Sequence, residues 1–273
     1  MLRFKKYEGL GNDFIIPETI CISETPVRNP LTALTESDRL RWSTLCDRRL
    51  SIGADGVLLH YQTPEQNHFM TIINQDGSLA EMCGNGLRCM ALHIANQSNL
   101  DLESVDIQTL AGSMQAQVHP LGVRCHIGPA DVKGIKSIRV GDSDFHGYFV
   151  STGNPHVIIL DPVMEITRRE CAELLSRHPV FEEGANISFA TATSGTIDLK
   201  VFERGCGWTQ ACGTAAVATT AAYWFKHDCQ GLDMSVRLPG GTLNIGGAFE
   251  NMVMDGPAKL TFTGSANVDW KEI

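Results

Sequence analysis

Residues 81–95 read EMCGNGLRCMALHIA, and residues 210–224 read QACGTAAVATTAAYW. Each places Cys-Gly at the head of a stretch with helical character, the first carrying Leu87, Met90, Ala91, Ile94 and Ala95 at roughly helical spacing. Two further pairs accompany them. LGNDF at 10–14 is echoed by TGNPH at 152–156, and IGADG at 52–56 by EGANI at 183–187. The offsets are 142, 131 and 129 residues, in the same order along the chain. One Gly-Asn pair is ordinary turn chemistry, whereas three ordered echoes predict two similar halves, each with Cys-Gly at a helix start.

Outward from these segments the chain reads as strand-rich. MTIINQ, SVDIQT, MQAQVH, YFVST, HVIIL, TIDLKVF and KLTFTG are short β-branched or alternating runs bounded by turn residues. Helical patterns are fewer, at 36–48, 84–96, 168–176 and 213–225. The fold class is therefore α+β: two pseudosymmetric domains, residues 1–118 and 119–263, with paired features facing a shared cleft. A tail at 264–273 is free to return to the first half.

Composition bounds the function. The chain has 273 residues, 43% hydrophobic and 19% charged, which is an ordinary globular balance with enough length for a sizeable core. Its net charge is −9 and its 22 Lys and Arg are scattered, which disfavours nucleic acid and anionic membrane as partners. No apolar run reaches membrane length and the start, MLRFKKYEGLGNDF, has no signal-peptide pattern, so a cytoplasmic protein is expected. The nine cysteines then read as reduced thiols. Cys21, Cys46, Cys125, Cys171 and Cys229 read as small hydrophobes or surface bystanders.

Cys83 and Cys212 differ from these by standing at helix N-termini, where a thiolate is favoured. Across a cleft, one as thiolate can remove a proton from a carbon while the other as thiol delivers one to the opposite face. The product is inverted, and neither a metal nor an organic cofactor is needed. The backbone N–H groups of Gly84, Asn85, Gly213 and Thr214 are placed to bind a substrate carboxylate and take up charge as an α-carbanion develops. An ordinary thiol, pKa about 8.5, is mostly protonated at neutral pH, so His156 and Glu203 are candidate assistants. The structural alternatives are that a lone Cys-Gly is core packing, that His156 is an ordinary core or surface histidine, and that Glu203-Arg204 is an exposed ion pair. Metal binding is disfavoured because Cys89 follows Cys83 by about 600° of helix rotation and the spacing lacks the tight pairs of zinc sites. Cys89 and Cys206 therefore read as packing residues. His60, His68, His93, His126 and His178 show no pattern.

At these residues the sequence resembles the diaminopimelate epimerase family. The likeness runs through KYEGLGNDFI (6–15), RRLSIGADGVLL (48–59), NQDGSLAEMCGNGLRC (74–89), GNPH (153–156), NISF (186–189), ERGCGWTQACGT (203–214), LPGGTLNI (238–245) and GPAKLTFTG (256–264). The resemblance implies a central helix in each half wrapped by antiparallel strands. It implies cofactor-independent, two-base interconversion of LL- and meso-2,6-diaminopimelate, serving lysine and peptidoglycan-precursor synthesis. Carried over, it makes Cys83 and Cys212 the acid/base pair, assisted by His156 and Glu203. Asn12, Asn74, Asn154, Asn186 and Arg204 would read the rest of a doubly zwitterionic substrate, the arginine as a bidentate carboxylate clamp. A homodimer is the family's habit.

The chain departs from the family pattern at Trp208, Ala215, Glu182 and the residues after NDF, none of which is a proposed acid or base. The nearest rival reading is a racemase of the same fold acting on histidine, glutamate or proline. Phenazine-pathway isomerases of this fold lack the cysteine pair. A non-enzymatic thiol redox or metal-binding protein would have little use for a repeated carboxylate-binding frame. Two thiols serving one α-carbon are near enough to bridge when the cleft is empty. Oxidation is therefore expected to inactivate through a Cys83–Cys212 disulfide that a dithiol reverses; an unchanged rate of oxidative loss in Cys83→Ser would refute this.

Overall fold

The computed structural model describes residues 1–18, 20–21, 31, 33–98, 104–193 and 195–268, with backbone alone at 20, 21 and 98, so the Cys21 side chain lies outside the described residues. The chain divides into two compact units, one formed by Met1–Cys125 with Gly256–Ile273 and the other by His126–Asp255.

In the first unit the strands are β1 (Leu2–Gly9), β2 (Asn12–Pro17), β3 (Ile20–Cys21), β4 (Gly56–Gln62), β5 (His68–Asn74), β6 (Leu79–Ala80), β7 (Val105–Thr109), β8 (Gly112–His119) and β9 (Gly122–Gly128). The second unit contributes β10 (Asp131–Val140), β11 (Ser143–Ser151), β12 (Pro155–Ile159), β13 (Asn186–Thr193), β14 (Thr196–Glu203), β15 (Gly207–Trp208), β16 (Met234–Leu238), β17 (Gly241–Ala248) and β18 (Asn251–Gly256), and β19 (Lys259–Ala266) closes the chain. The helices are α1 (Glu36–Ser43), α2 (Gly84–Ser98), α3 (Glu165–Ser176) and α4 (Gly213–His227).

The two units repeat one topology. Strands run β19-β1-β2-β4-β5-β7-β8-β9 in the first and β10-β11-β12-β13-β14-β16-β17-β18 in the second. The parallel pairs β2–β4 and β5–β7 answer to β12–β13 and β14–β16, and the remaining neighbours along each run are antiparallel. The place that β10 fills from the start of its own unit is filled in the first unit by β19, which pairs along β1 from Leu2↔Ala266 to Glu8↔Lys259. The first unit thus takes back the chain from Gly256, earlier than the tail at 264 read from sequence. Its other limit falls at 125/126 rather than 118/119 because β8 and β9 form one hairpin, with Ala116 opposite Cys125.

Each sheet wraps a central helix. From Gly84 to Ala91 every residue of α2 is buried, and α4 buries ten residues, most of them Ala, Val or Thr. A helix apolar on all sides belongs inside a structure, and small side chains let strands approach it closely. Gly86 shows how tight the fit is: a Cβ there would lie 3.3 Å from Leu58 Cδ2. Gly56 is fixed by the strands themselves, since a Cβ would fall 2.8 Å from the Ile73 carbonyl oxygen.

A second helix covers the other face of each sheet, so β4 is buried along nearly its whole length. Val57, Leu59 and Tyr61 pack in the α1-side core with Leu45, Cys46 and Ala54, and Ile187 and Phe189 of β13 pack with Cys171, Ala172 and Leu175 of α3. α1 begins with a capping box at Thr35 and stops at Ser43, short of the 36–48 pattern. There the Ser43 and Thr44 hydroxyls donate to the Leu40 and Arg41 carbonyls at 2.9 and 2.7 Å, and the chain tightens into a 3-10 turn at Thr44–Cys46. α3 starts at Glu165, earlier than the pattern from 168, with Glu165 paired to Arg168 and Arg169.

The first unit also buries a cluster of imidazoles without any sequence pattern. His60 Nε2 lies 3.0 Å from His68 Nδ1, and the His93 ring meets His60 edge-on at 5.5 Å and Tyr7 at 5.6 Å. Neither nitrogen of His93 has a hydrogen-bond partner among the described residues. Burial, helped by the neighbouring imidazoles, pulls His60 down to about 3, and burial with the Lys5 charge pulls His93 to about 4. The folded state therefore requires these rings neutral. Below pH about 6.5 the unfolded chain binds protons that the folded chain refuses until pH 3 to 4, so stability falls as pH drops through that window. In urea unfolding at pH 7 and pH 5 the wild type should lose more stability than His93→Phe; equal losses would remove the cluster as the cause.

Candidate active site

The sheet order brings the echoed motifs of each unit to one end. In the first unit Asn12 opens β2, Asp55 immediately precedes β4, and Asn74 ends β5, which runs antiparallel to β4. Cys83 stands before α2: its carbonyl accepts the Leu87 N–H at 2.8 Å and its Sγ accepts the Gly86 N–H at 3.4 Å. The sulfur occupies the place where a capping Ser or Asp oxygen usually sits. The Gly84 and Asn85 N–H groups, one and two residues into the helix, have no acceptor inside it.

The structure brings Asn12 to Cys83, with its Oδ1 4.0 Å from the sulfur. Its amide is oriented by Asp55, whose Oδ2 accepts Asn12 Nδ2 at 2.9 Å and the Asp13 N–H at 3.0 Å. Asp13 in turn holds Arg48 through two bonds and Lys6 through an ion pair of 2.8 Å, which pulls its carboxyl down to about 2 against the opposing effect of burial. Asn74 donates to Ser78 Oγ at 2.9 Å across a tight turn. The Asn85 side chain is committed to the fold: its Oδ1 accepts Arg88 Nη2 at 2.8 Å, leaving its backbone to face the helix end. Arg88 is fully buried and also donates to Gly84 O at 3.2 Å and to Pro257 O at 3.1 Å.

The second unit repeats the frame with different chemistry. Asn154 precedes β12, Asn186 opens β13, Glu203 ends β14 and Cys212 precedes α4. Cys212 is 7% exposed, and its Sγ lies 3.4 Å from Thr214 Oγ1. Burial first, then the Glu203 carboxylate, pushes this thiol well above the ordinary range, against smaller opposing effects from Thr214 and the Ala215 N–H. Glu203 accepts Thr209 Oγ1 at 2.5 Å. The structure thus assembles Cys212, Thr214, Glu203 and Thr209, and the Glu203-Arg204 pair is no surface ion pair.

His156 is buried with Nε2 on Asn154 Oδ1 at 2.9 Å, while its Nδ1 has no partner among the described residues; burial lowers it to about 3, so the ring is neutral. Asn154 Oδ1 also accepts the Thr152 hydroxyl at 3.1 Å. Asn186 accepts the Arg204 N–H at 3.0 Å and donates to Pro155 O at 3.3 Å. The Arg204 guanidinium turns toward the 183–184 turn, donating to Glu183 O at 2.7 Å. Trp208 packs edge-on against Phe202 at 5.6 Å and beside Phe189 at 6.0 Å.

Cys206 differs from its expected packing role: it is exposed, lifted on a turn where Gly205 and Gly207 have φ of 82° and 79°. Cys89 is fully buried, as packing requires. Among the described residues no three His, Cys, Asp or Glu side chains gather as a metal site would need, and no helix is long and apolar enough to cross a membrane. Asp55, Arg88, Ser78 and Thr209 were missed from sequence. Asp55 had a signal, since the IGADG–EGANI echo aligns it with Asn186. Arg88 had another, as a charge within an apolar helix, four residues from Gly84.

The chain is similar to known proteins. The family described as "Diaminopimelate epimerase" matches residues 4–133 and 148–261. Diaminopimelate epimerase of Carboxydothermus hydrogenoformans is 35% identical over 279 residues, covering 96% of this chain and 98% of that protein. That of Synechocystis sp. is 35% identical over 292 residues, covering 98% and 99%. Among solved structures, a hydroxyproline epimerase from Agrobacterium vitis superposes with a TM-score of 0.70 at 13% identity, covering 96% of this chain and 91% of that one. A PhzF-family phenazine biosynthesis protein from Bacillus anthracis does so with 0.71 at 16%, covering 98% and 99%. At such identities these two carry the fold alone.

Arg88→Met should test the clamp on the first turn of α2. It strips the guanidinium from two acceptors, Asn85 Oδ1 and Pro257 O, each costing about 1–3 kcal/mol when buried and unpaired, and removes a second donor from Gly84 O, which keeps its helical N–H. Denaturant unfolding should show a loss of at least about 2 kcal/mol; a loss below about 1 kcal/mol would show that the acceptors find other partners.

Proposed function

The chain belongs to the diaminopimelate epimerase family, and from that premise we propose that it interconverts LL- and meso-2,6-diaminopimelate without a cofactor, by a two-base thiol mechanism. What carries the reading is the pair of thiols, each at the first turn of a buried helix, Cys83 in one unit and Cys212 in the other. Inversion at carbon needs a base on one face and an acid on the other. One thiolate takes the α-proton, the C–H pair becomes a carbanion delocalised into the carboxylate, and the other thiol delivers its proton to the opposite face. The enzyme is left with the protonation states exchanged, ready for the reverse direction.

The helix ends make the carbanion accessible. N–H groups of Gly84, Asn85, Gly213 and Thr214 receive the reacting carboxylate, where donors count most as its charge grows. Glu203 serves Cys212, accepting the thiol proton when the sulfur acts as base. His156 is the remaining assistant; its Nδ1 lone pair is unpartnered because Nε2 is held by Asn154. Asn12, Asn74, Asn154 and Asn186 read the far amino and carboxylate groups. Arg204 clamps the distal carboxylate after leaving Glu183, giving up an exposed 3.8 Å ion pair and a 2.7 Å bond to the Glu183 carbonyl in return for the substrate's carboxylate. Shorter amino acids would leave these groups unpaired, which is the basis for rejecting them.

Thiols that must stay reduced suit the cytoplasm, where the reaction would supply lysine and peptidoglycan precursors. The partner of the chain is its amino-acid substrate, and a second copy in a homodimer follows the family's habit. The deciding experiment is proton NMR of the reduced protein with LL-2,6-diaminopimelate in deuterium oxide. Deuterium should enter the α-carbon as meso product forms, and Cys83→Ser or Cys212→Ser should lower that rate by about 100-fold or more. A folded, reduced wild type that exchanges nothing overturns the substrate assignment.

A further inference from the structure

We infer that Thr209 is a positioning residue for the acid/base chemistry of Cys212: its hydroxyl holds one oxygen of the Glu203 carboxylate so that the other is presented to the thiol. The inference rests on the two-base reading and adds to it a residue that neither motif nor repeat singled out. Three observations carry it.

The first is the bond itself, Thr209 Oγ1 to Glu203 Oε1 at 2.5 Å, at the short end for a hydroxyl on a carboxylate. The second is how Thr209 is held. β15 returns antiparallel to β14 with Glu203 opposite Gly207, and the Thr209 N–H reaches Val201 O at 3.3 Å, so its backbone is tied to the strand that bears Glu203. The hydroxyl therefore comes from a fixed frame, while the glutamate it meets has three side-chain torsions to restrain. The third is the comparison between units. The 129-residue offset that aligns Cys83 with Cys212 aligns Asn74 with Glu203 and Ala80 with Thr209. Where the frame ends in an amide, held by Ser78, the position opposite is an alanine without a donor. A hydroxyl stands there only in the unit where the frame ends in a carboxylate beside a sulfur.

The proton accounting shows why orientation matters. For Cys212 to act as base, its S–H bond breaks, an O–H bond forms on Glu203, and the sulfur keeps the electron pair with which it then takes the α-proton. For Cys212 to act as acid, its proton goes to the carbanion and the thiolate recovers a proton from the Glu203 carboxyl. Both directions use one oxygen facing the sulfur. Thr209 donates to the other oxygen throughout and exchanges no proton with it.

The test uses Thr209→Val, near-isosteric and unable to donate, and Thr209→Ser, which keeps the hydroxyl. With diaminopimelate, Thr209→Val should lower kcat about tenfold, roughly 1.4 kcal/mol in barrier, with KM within about twofold and an unchanged melting temperature; Thr209→Ser should return most of the rate. A second readout needs no substrate. The Glu203 charge disfavours the Cys212 thiolate, so a carboxylate released from its place should let iodoacetamide modify Cys212 several-fold faster at neutral pH, measured by peptide mass, with Thr209→Ser close to wild type. In folded variants, any other pattern overturns the inference, including a loss that serine does not restore or alkylation that valine does not change. A wild type inert toward diaminopimelate would sink the substrate reading alone, and the alkylation rates would then decide the role of Thr209.

Discussion

A helix enclosed by strands has its backbone satisfied along its length and its side chains committed to packing, so its polar backbone is available only at its ends. That constraint organises both units. α2 and α4 are buried on nearly every side, and their first turns lie at the same end of the wrapping sheet as the loops carrying Asn12, Asp55 and Asn74, or Asn154, Asn186 and Glu203. The glycine at 86 is what the close approach of Leu58 demands. The site follows from the wrapping, because the backbone N–H groups beyond the first turn of a central helix are already spent inside it.

Within that shared frame the two units have diverged in electrostatics. At Cys83 the sulfur takes a helix N–H and faces an amide oxygen, with a buried guanidinium on the first turn of α2. At Cys212 the sulfur is more deeply buried and faces a carboxylate. The position of Arg88 is taken in the second unit by Val217 when the helices are aligned on their cysteines. A repeated backbone thus carries two unlike thiols, which suits a reaction that needs one group to give a proton and another to take it.

How much of this was legible in the sequence divides along physical lines. The repeat was readable because turn glycines and the Cys-Gly helix starts are imposed by local backbone geometry, and the helix patterns at 84–96 and 213–225 correspond to α2 and α4. The short reach of α1 was hidden because Ser43 and Thr44 end it through hydroxyl bonds that leave no mark on apolar periodicity. Cys206 misled because exposure there is set by two left-handed glycines flanking it, whereas the eye goes to its spacing from Cys212. The supporting residues Asp55, Arg88 and Thr209 act through long-range contacts, and the imidazole cluster of His60, His68 and His93 arises only when β4, β5 and α2 come together. One sequence shows the groups that a local motif fixes better than those that hold them.

The return of β19 to the first unit has a consequence for how the chain is made. Residues 126–255 can complete their sheet from one continuous segment as they leave the ribosome. The first unit, although synthesised earlier, waits with β1 unpaired along one edge until the last strand emerges, closing a loop that spans the whole of the second unit. Such a closure is entropically costly and slow, and an exposed strand edge meanwhile invites pairing with other chains. The unit made first is thus the one whose sheet is completed last, and truncation near the C-terminus removes a strand from the N-terminal unit.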